Sequence, residues 1–224
     1  MDMEIFKLHK TLAKKQNIKK FKTKELEVLL IYVDIICKEI FRLADVQQFL
    51  IDGSITNITR INLLNIISGF NENEPIPDIM QLVDKYLQEK RNSIMGFISR
   101  MDKLLKDRSI MINTTLYRCM KQIYKNNEIT TYSSWSLLPI PFFCDKTNII
   151  YVMRYNNRGL YIENDDKIKL KTDYVFNEDE REYEVILPRG LKFRIDATKE
   201  EDMINIYNKN NTLRTVQMIY ITII

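Results

Sequence analysis

The apolar residues in the first half of the chain recur at the spacing of helices. Between residues 26 and 40 they repeat every three or four positions, at Leu26, Leu29, Leu30, Val33, Ile36, Cys37 and Ile40. Pro77 and Asp78 open a second stretch, and its inward-facing residues are Ile79, Leu82, Val83 and Leu87. A third stripe consists of Ile94, Phe97, Ile98, Met101, Leu104 and Leu105. This period predicts amphipathic helices up to about residue 125, with loops at 52–57 and 68–77.

The pattern after about residue 125 is that of strands. Residues 148–154 form a short run of apolar, β-branched residues, and 160–162 resume it after Asn156-Asn157-Arg158-Gly159, which we predict to be a turn. Three further strands are predicted, at Glu184–Leu187, Leu191–Ile195 and Thr215–Ile224. Helices followed by strands favour an α+β fold in which the sheet packs on the helical layer.

Composition and charge narrow the possible partners. The 224 residues are enough for one large domain or two small ones, and 45% of them are apolar. The net charge is only +4, and the strongest basic run extends from Lys10 to Lys24. We interpret this run as a solvated helix or tail rather than a surface for an acidic partner, and we do not expect nucleic acid as a partner.

Cysteine and histidine usage gives no metal-ligand pattern. Cys37, Cys119 and Cys144 are widely spaced, and His9 is the only histidine, so no metal is expected. An odd, sparse cysteine count favours reduced thiols in an intracellular setting. There is no apolar run long enough for a membrane span, and no signal peptide is recognisable. These features predict a cytoplasmic protein, and the cytoplasm of a host cell is one such setting.

Two glutamates stand at the head of a predicted strand in the stretch EREYEVILPRGLKFRI, residues 180–195. Because side chains alternate along a strand, Glu182 and Glu184 point to one face and Val185 to the other. Pro188-Arg189-Gly190 is predicted to turn the chain into an antiparallel hairpin, with the two acids at its mouth. Paired carboxylates suit chemistry that develops positive charge, such as an oxocarbenium-like sugar cation. The same spacing recurs elsewhere in the chain, so the pair alone does not exclude a solvated strand face.

The residues around this pair resemble the last signature of the ADP-ribosyltransferases, toxin-type and arginine-specific, whose three signatures are an Arg, a Ser-x-Ser and a Glu-x-Glu. Upstream, Arg118 within residues 115–120 resembles the strand-borne arginine. Ser134-Trp135-Ser136 resembles the serine signature, and the three motifs occur in the family's order. The resemblance covers about residues 45–224, which implies an ADP-ribosyltransferase-like catalytic domain there. Residues 1–44 are not explained by it, and we predict them to be an N-terminal helical segment.

The resemblance implies a helical N-terminal half packed on a mixed, mainly antiparallel β-sandwich with an NAD cleft. It also implies NAD as co-substrate and transfer of ADP-ribose to an arginine of a target protein. Glu184 would stabilise the sugar cation, and Glu182 would orient and activate the nucleophile. Ser134 and Ser136 would support the acids and the nucleotide. Arg118 would hold the pyrophosphate or ribose, and Phe143 would give an aromatic wall for nicotinamide.

Departures from the family pattern keep two alternatives open. Cys119 stands where glycine is usual, and Pro139 and Pro141 interrupt the helix that normally follows the serine signature. The first alternative is a catalytically inactive ADP-ribosyltransferase-fold protein that acts as a protein-binding module. The second is an accidental resemblance, in a helical interaction protein with a small sheet. A cleft joining Arg118, Ser134 and Glu184 would exclude the second.

Overall fold

The structure is a computed structural model. The described residues are 3–33, 85, 92, 95–120, 124, 127–129, 132–139, 148–163, 183–196, 202–207 and 213–224. The helix predicted at Pro77 and the loops predicted at 52–57 and 68–77 lie outside them. The chain divides into two compact units, one formed by Met1–Lys20 with Asp107–Ile224 and the other by Phe21–Lys106.

Helices account for the described part of the unit Phe21–Lys106. Helix α2 spans Thr23–Val33. Its first turn is capped by Glu25, whose carboxylate accepts a hydrogen bond from the Lys22 backbone N–H at 2.7 Å. Residues 95–108 are also helical, and they bury Phe97, Ile98, Met101, Leu104 and Leu105. The apolar stripe predicted for this segment is therefore confirmed over its described residues.

Helix α1, Met3–Gln16, lies in the other unit and packs on its strands. It is followed by a 3₁₀ turn at Ile18–Lys20. Leu12 joins the core cluster formed by the strands. The Gln16 side chain donates to the Arg108 carbonyl at 2.8 Å and accepts from the Tyr161 N–H at 2.9 Å. Apolar burial and this pair of hydrogen bonds therefore fix α1 against the sheet. Among the described residues, no helix has the length and apolar character needed to cross a bilayer.

Eight strands of the described chain form one sheet. They are β1 Ile110–Met120, β2 Glu128–Ile129, β3 Ser133–Ser136, β4 Ile149–Glu163, β5 Tyr183–Leu187, β6 Leu191–Ile195, β7 Asp202–Tyr207 and β8 Leu213–Ile223. The order is β1-β3-β5-β4-β8-β6-β2, with β7 paired to β8 and β1 also paired to β4. Strands β1, β3, β5 and β4 thus pair in a closed circuit. Only the β4–β8 pairing is parallel among those described, so the core is mainly antiparallel.

The turn predicted at 156–159 is wrong, because β4 continues through it. An unbroken antiparallel ladder with β1 runs from Ile110↔Gly159 to Met120↔Ile149. Gly159 is needed for space rather than for a turn. A Cβ atom at this position would lie 2.9 Å from Cγ1 of Val185 on β5. The glycine therefore permits close packing where β4 leaves β1 and begins to pair with β5.

The predicted hairpin of β5 and β6 is also wrong. Both edges of β5 are occupied, one by β3 and the other by β4, so no edge remains for β6. Strand β6 pairs instead with β2 and β8. Gly190 adopts a left-handed φ of 75°, and its N–H donates to the Ile129 carbonyl at 2.8 Å. The turn residues therefore redirect the chain to another part of the sheet instead of closing a hairpin.

Side-chain alternation divides the strands between two apolar clusters. The larger cluster contains Leu116, Trp135, Tyr151, Val185 and Ile219, among others, and α1 packs against it. The smaller one, on the opposite side of the same strands, is built from Ile150, Val152 and Val216, with Tyr117, Cys119, Met218 and Tyr220 packed on it. Because alternation along a strand is strict, each strand residue can be assigned to one of these two sides.

Candidate active site

Glu184 lies on β5, which is paired with another strand along each of its edges. Strand β5 places it directly opposite Ser136 of β3 on one side and Ile162 of β4 on the other. Opposed residues of antiparallel strands have Cβ atoms about 4.5–5.5 Å apart, so Glu184 and Ser136 are close enough for their side chains to interact. The Glu184 side chain is only 3% exposed. When ionised, a carboxyl group this deeply buried acts on its neighbours through a weakly screened field.

The serine signature lies on the same side of the sheet as Glu184. Ser134 and Ser136 are two residues apart on β3, in register with Ile186 and Glu184 respectively. The Ser136 Oγ accepts a hydrogen bond from the Leu138 N–H at 3.0 Å. Its own hydroxyl proton is left to donate, because a serine hydroxyl is both donor and acceptor. The serine signature therefore supplies a hydroxyl that is held in place beside the buried acid.

Trp135 points away from these serines into the larger cluster. It is 1% exposed, and its indole N–H donates to the Ser133 Oγ at 2.9 Å. The tryptophan therefore anchors β3 on the side opposite to Ser134 and Ser136.

Arg118 reaches β3, but from the other side of β1. Its Nη1 donates to the Ser134 carbonyl at 2.7 Å, and its Nε donates to the Met120 Sδ at 3.1 Å. Arg118 lies on the same face of β1 as Leu116 and Met120, both of which contribute to the larger cluster, and Tyr117 lies on the opposite face. The Arg118 guanidinium thus contacts the serine signature at the Ser134 backbone carbonyl. The residue itself lies on the face of β1 opposite to the side of Glu184.

Of the neighbours Tyr117 and Arg118, it is Tyr117 that β1 places on the side of Glu184. Its register partner on β3 is Ser136, which is itself the partner of Glu184. Tyr117, Ser136 and Glu184 therefore form a row across three neighbouring strands. Burial raises the pKa of the Tyr117 phenol, which keeps it neutral. Tyr117 was not among the predicted site residues, because alternation within β1 gives no information on which of its faces meets which face of β3.

His9 was also missed, and it supports β5 from α1. Its ring centroid lies 4.4 Å from that of Tyr183, the residue before Glu184. Its Nδ1 is hydrogen-bonded to the Tyr161 hydroxyl. The helical spacing of His9, Leu12 and Gln16, all buried, is the sequence signal by which this face of α1 could be recognised.

The remaining predicted site residues fall outside the described part of the chain. These are Glu182 and Phe143. Cys119, beside Arg118, is disulfide-bonded. The expectation of reduced thiols is therefore wrong for this cysteine, since spacing along the sequence does not show which sulfurs the fold brings together. The described residues contain no group of three or more His, Cys, Asp or Glu that is arranged to hold a metal ion.

Comparisons with solved structures identify the fold. The ADP-ribosylating toxin BECa of a binary enterotoxin of C. perfringens, solved with NADH, matches with a TM-score of 0.51 and 16% identity over 99% of this chain and 48% of its own. The enzymatic component C2-I of the Clostridium botulinum C2-toxin matches with a TM-score of 0.52 and 16% identity over 95% and 47%. The Clostridium limosum C3 exoenzyme matches with a TM-score of 0.51 and 14% identity over 98% and 94%.

The chain therefore has the fold of the ADP-ribosyltransferase toxins, as the order of its motifs predicted. It spans about half the length of BECa and of C2-I and most of the C3 exoenzyme. No protein-family model and no curated protein sequence matches it.

Proposed function

We propose that the chain is an NAD-dependent mono-ADP-ribosyltransferase that modifies arginine on a target protein. The observation that carries this proposal is the register of Ser136 with Glu184 on β3 and β5. The strand with the third motif, β1, lies next to β3. Three motifs from distant parts of the sequence thus occupy three neighbouring strands of a fold shared with an ADP-ribosylating toxin solved with NADH.

The proposed reaction exchanges one glycosidic bond for another. The bond between ribose C1′ and the nicotinamide nitrogen breaks, and its electron pair leaves with nicotinamide. An arginine guanidine nitrogen of the target then donates its lone pair to C1′ and loses one proton. The ribose passes through an oxocarbenium-like transition state, in which positive charge develops next to C1′.

Glu184 is proposed to stabilise that charge. A buried carboxylate at a fixed position costs no reorganisation when the cation forms, and its field is weakly screened. Ser136 is proposed to hold the carboxylate through its hydroxyl, which the Leu138 N–H already orients. Glu182 is proposed to accept the proton of the incoming guanidinium, an otherwise cationic and unreactive group.

The other predicted roles belong to the same proposal. The N–H donors of Arg118 that do not bond Ser134 or Met120 are proposed to bind phosphate or ribose oxygens of NAD. Ser134 is proposed to face the nucleotide beside Ser136, and Phe143 to line the nicotinamide pocket. The proposal also includes a catalytic domain at 45–224 that contains a β-sandwich and a helical layer. Its site of action is proposed to be the cytoplasm of the producing cell or of a host cell.

Transfer from labelled NAD tests the proposal. Wild-type protein is incubated with NAD labelled in its ADP-ribose part and with poly-arginine or poly-lysine, and free nicotinamide is measured in parallel. We expect transfer to poly-arginine, and a loss of about 100- to 1,000-fold in kcat for Glu184→Gln, by analogy with removal of one preorganised charge-stabilising group. Glu128→Gln is the control, since it removes a carboxylate from β2, away from the proposed site, and should keep wild-type activity.

The inactive binding module is the second candidate, and the position of Arg118 favours it. A guanidinium bonded to the Ser134 carbonyl, on the larger-cluster side of β1, has a structural role without any nucleotide. Absence of both transfer and NAD hydrolysis in the wild-type protein would refute the enzyme and leave this candidate. Equal activity of wild type and Glu184→Gln would refute the catalytic role of Glu184.

A further inference from the structure

We propose that Tyr117 is a substrate-binding residue whose phenol ring lines the nicotinamide end of the NAD site. The inference rests on the proposed function and adds to it a residue that none of the three motifs assigns. It starts from the row Tyr117, Ser136 and Glu184, in which each member is the register partner of the next.

The spacing of the row matches one nucleoside. Neighbouring strands lie about 4.8 Å apart, so Tyr117 and Glu184 are separated by about 10 Å across β3. If Glu184 contacts the ribose, as proposed, the planar base on that ribose lies within reach of the Tyr117 ring. Ser136 lies between them, and its hydroxyl faces the same side.

The accessibility of the row increases toward Tyr117. Glu184 is 3% exposed and Ser136 is 5% exposed, whereas Tyr117 is only partly buried. A ligand that reaches the buried acid along this face therefore passes the tyrosine ring. Aromatic rings prefer offset or edge contacts with other rings, and nicotinamide offers such a partner.

Within the described part of the chain, the Tyr117 hydroxyl has no hydrogen-bond partner that a ligand would have to displace. Among the described residues, none forms a hydrogen bond with it, although partly buried tyrosine hydroxyls usually find a partner. Burial raises the phenol pKa, so the group stays a neutral donor. A carboxamide oxygen on the ring that stacks here is an acceptor of the matching kind.

Tyr220 on β8 gives a matched comparison. It is partly buried, as Tyr117 is, and both pack against the smaller cluster of Ile150, Val152 and Val216. Both are register partners of Val152, one from each side of β4. They differ in their relation to Glu184. Tyr117 is joined to it through Ser136 of β3, whereas the β4 partner of Tyr220, Val152, lies ten residues along the strand from Ile162, the β4 partner of Glu184. A loss of cluster packing therefore affects both tyrosines, and a loss of ligand contact affects only Tyr117.

The test measures NAD binding by calorimetry, and KM and kcat for transfer, in Tyr117→Leu, Tyr117→Phe and Tyr220→Leu. Loss of the hydroxyl in Tyr117→Phe should weaken NAD binding about 5-fold. Loss of the ring as well, in Tyr117→Leu, should weaken it about 25-fold and raise KM in parallel, with a smaller change in kcat. Tyr220→Leu should bind NAD as the wild type does.

The outcomes separate this inference from the proposed function. If the wild type does not bind NAD, the proposed function fails and the inference fails with it. If the wild type binds NAD and Tyr117→Leu binds it equally well, the inference alone is overturned. Equal weakening in Tyr117→Leu and Tyr220→Leu also overturns it, since that result indicates a packing role. Intermediate affinity of Tyr117→Phe, with full affinity of Tyr220→Leu, supports it.

Discussion

Gly159 offers a sharp test of how closely β4 and β5 pack. A methyl group added at this position would lie 2.9 Å from Cγ1 of Val185, 3.2 Å from Cδ2 of Leu187 and 3.4 Å from Cγ1 of Ile112. Carbon atoms prefer separations of about 3.5–4.0 Å. The added methyl group of Gly159→Ala therefore overlaps the Val185 methyl and presses on the Leu187 methyl, inside the larger cluster.

The expected cost of Gly159→Ala is about 2 kcal/mol of the free energy of unfolding. Overpacking a well-filled core typically costs about 1–3 kcal/mol. Val185 is β-branched and stiff at χ1, so it cannot swing aside easily, whereas the distal Leu187 methyl can shift more freely. The backbone adds no strain, since of the described glycines only Gly190 has a positive φ.

Urea unfolding followed by Trp135 fluorescence measures this cost. Trp135 is the sole tryptophan, and its register partner on β5 is Val185. Gly96→Ala is the control, because Gly96 is helical and nothing lies within 4 Å of its added Cβ. It should not lower the transition midpoint. If Gly159→Ala unfolds at the wild-type urea concentration or above, β4 and β5 do not pack as described. A double variant with Val185→Ala should show a favourable coupling energy of about 1 kcal/mol, because it removes the overlapping methyl.

Two further predictions concern a buried amide and a buried phenol. Gln16→Leu leaves the Tyr161 N–H and the Arg108 carbonyl without their partner, so it should lower the free energy of unfolding by about 2 kcal/mol in the same urea assay, whereas Thr11→Ala on the exposed side of α1 should change it little. Burial raises the pKa of Tyr155 from 10.0 to about 12, so its neutral form favours the folded state. That stability is complete below pH 10 and is lost as the pH rises from about 10 toward 12. Tyr155→Phe should flatten this alkaline decline in unfolding titrations at stepped pH, and an unchanged slope would assign the decline to other groups.

The sequence predicted those elements whose signal is local. The apolar stripe of residues 97–105 and the alternation in Leu191–Ile195 depend only on neighbours along the chain, and both elements are found where predicted. Strand β1, Ile110–Met120, lies in a stretch that we predicted to be helical. The errors at the two predicted turns arose where long-range pairing overrides local turn chemistry. Asn-Asn-Arg-Gly is a good turn sequence, but an eleven-residue ladder with β1 keeps it extended.

The candidate site was predictable to the same extent. Alternation along β3 puts Ser134 and Ser136 on one side of the strand and Trp135 on the other. It gave no means of matching faces between strands, since that depends on register, and register is set by pairings between residues far apart in the sequence. For this reason Tyr117, rather than Arg118, joins the row that contains Glu184.

The position of Arg118 is nevertheless compatible with a role at the nucleotide. In the described residues, Tyr117↔Ser136 is the sole register pair between β1 and β3. The guanidinium of Arg118 bonds the Ser134 carbonyl, two residues beyond that pair on β3. Backbone carbonyls of a strand lie close to the plane of the sheet, so a guanidinium bonded to one of them also lies close to that plane. Its remaining donors can therefore meet a phosphate that approaches from the side of Ser136. The reach of a long side chain, and not its strand parity, then decides whether the arginine and the acid serve one ligand.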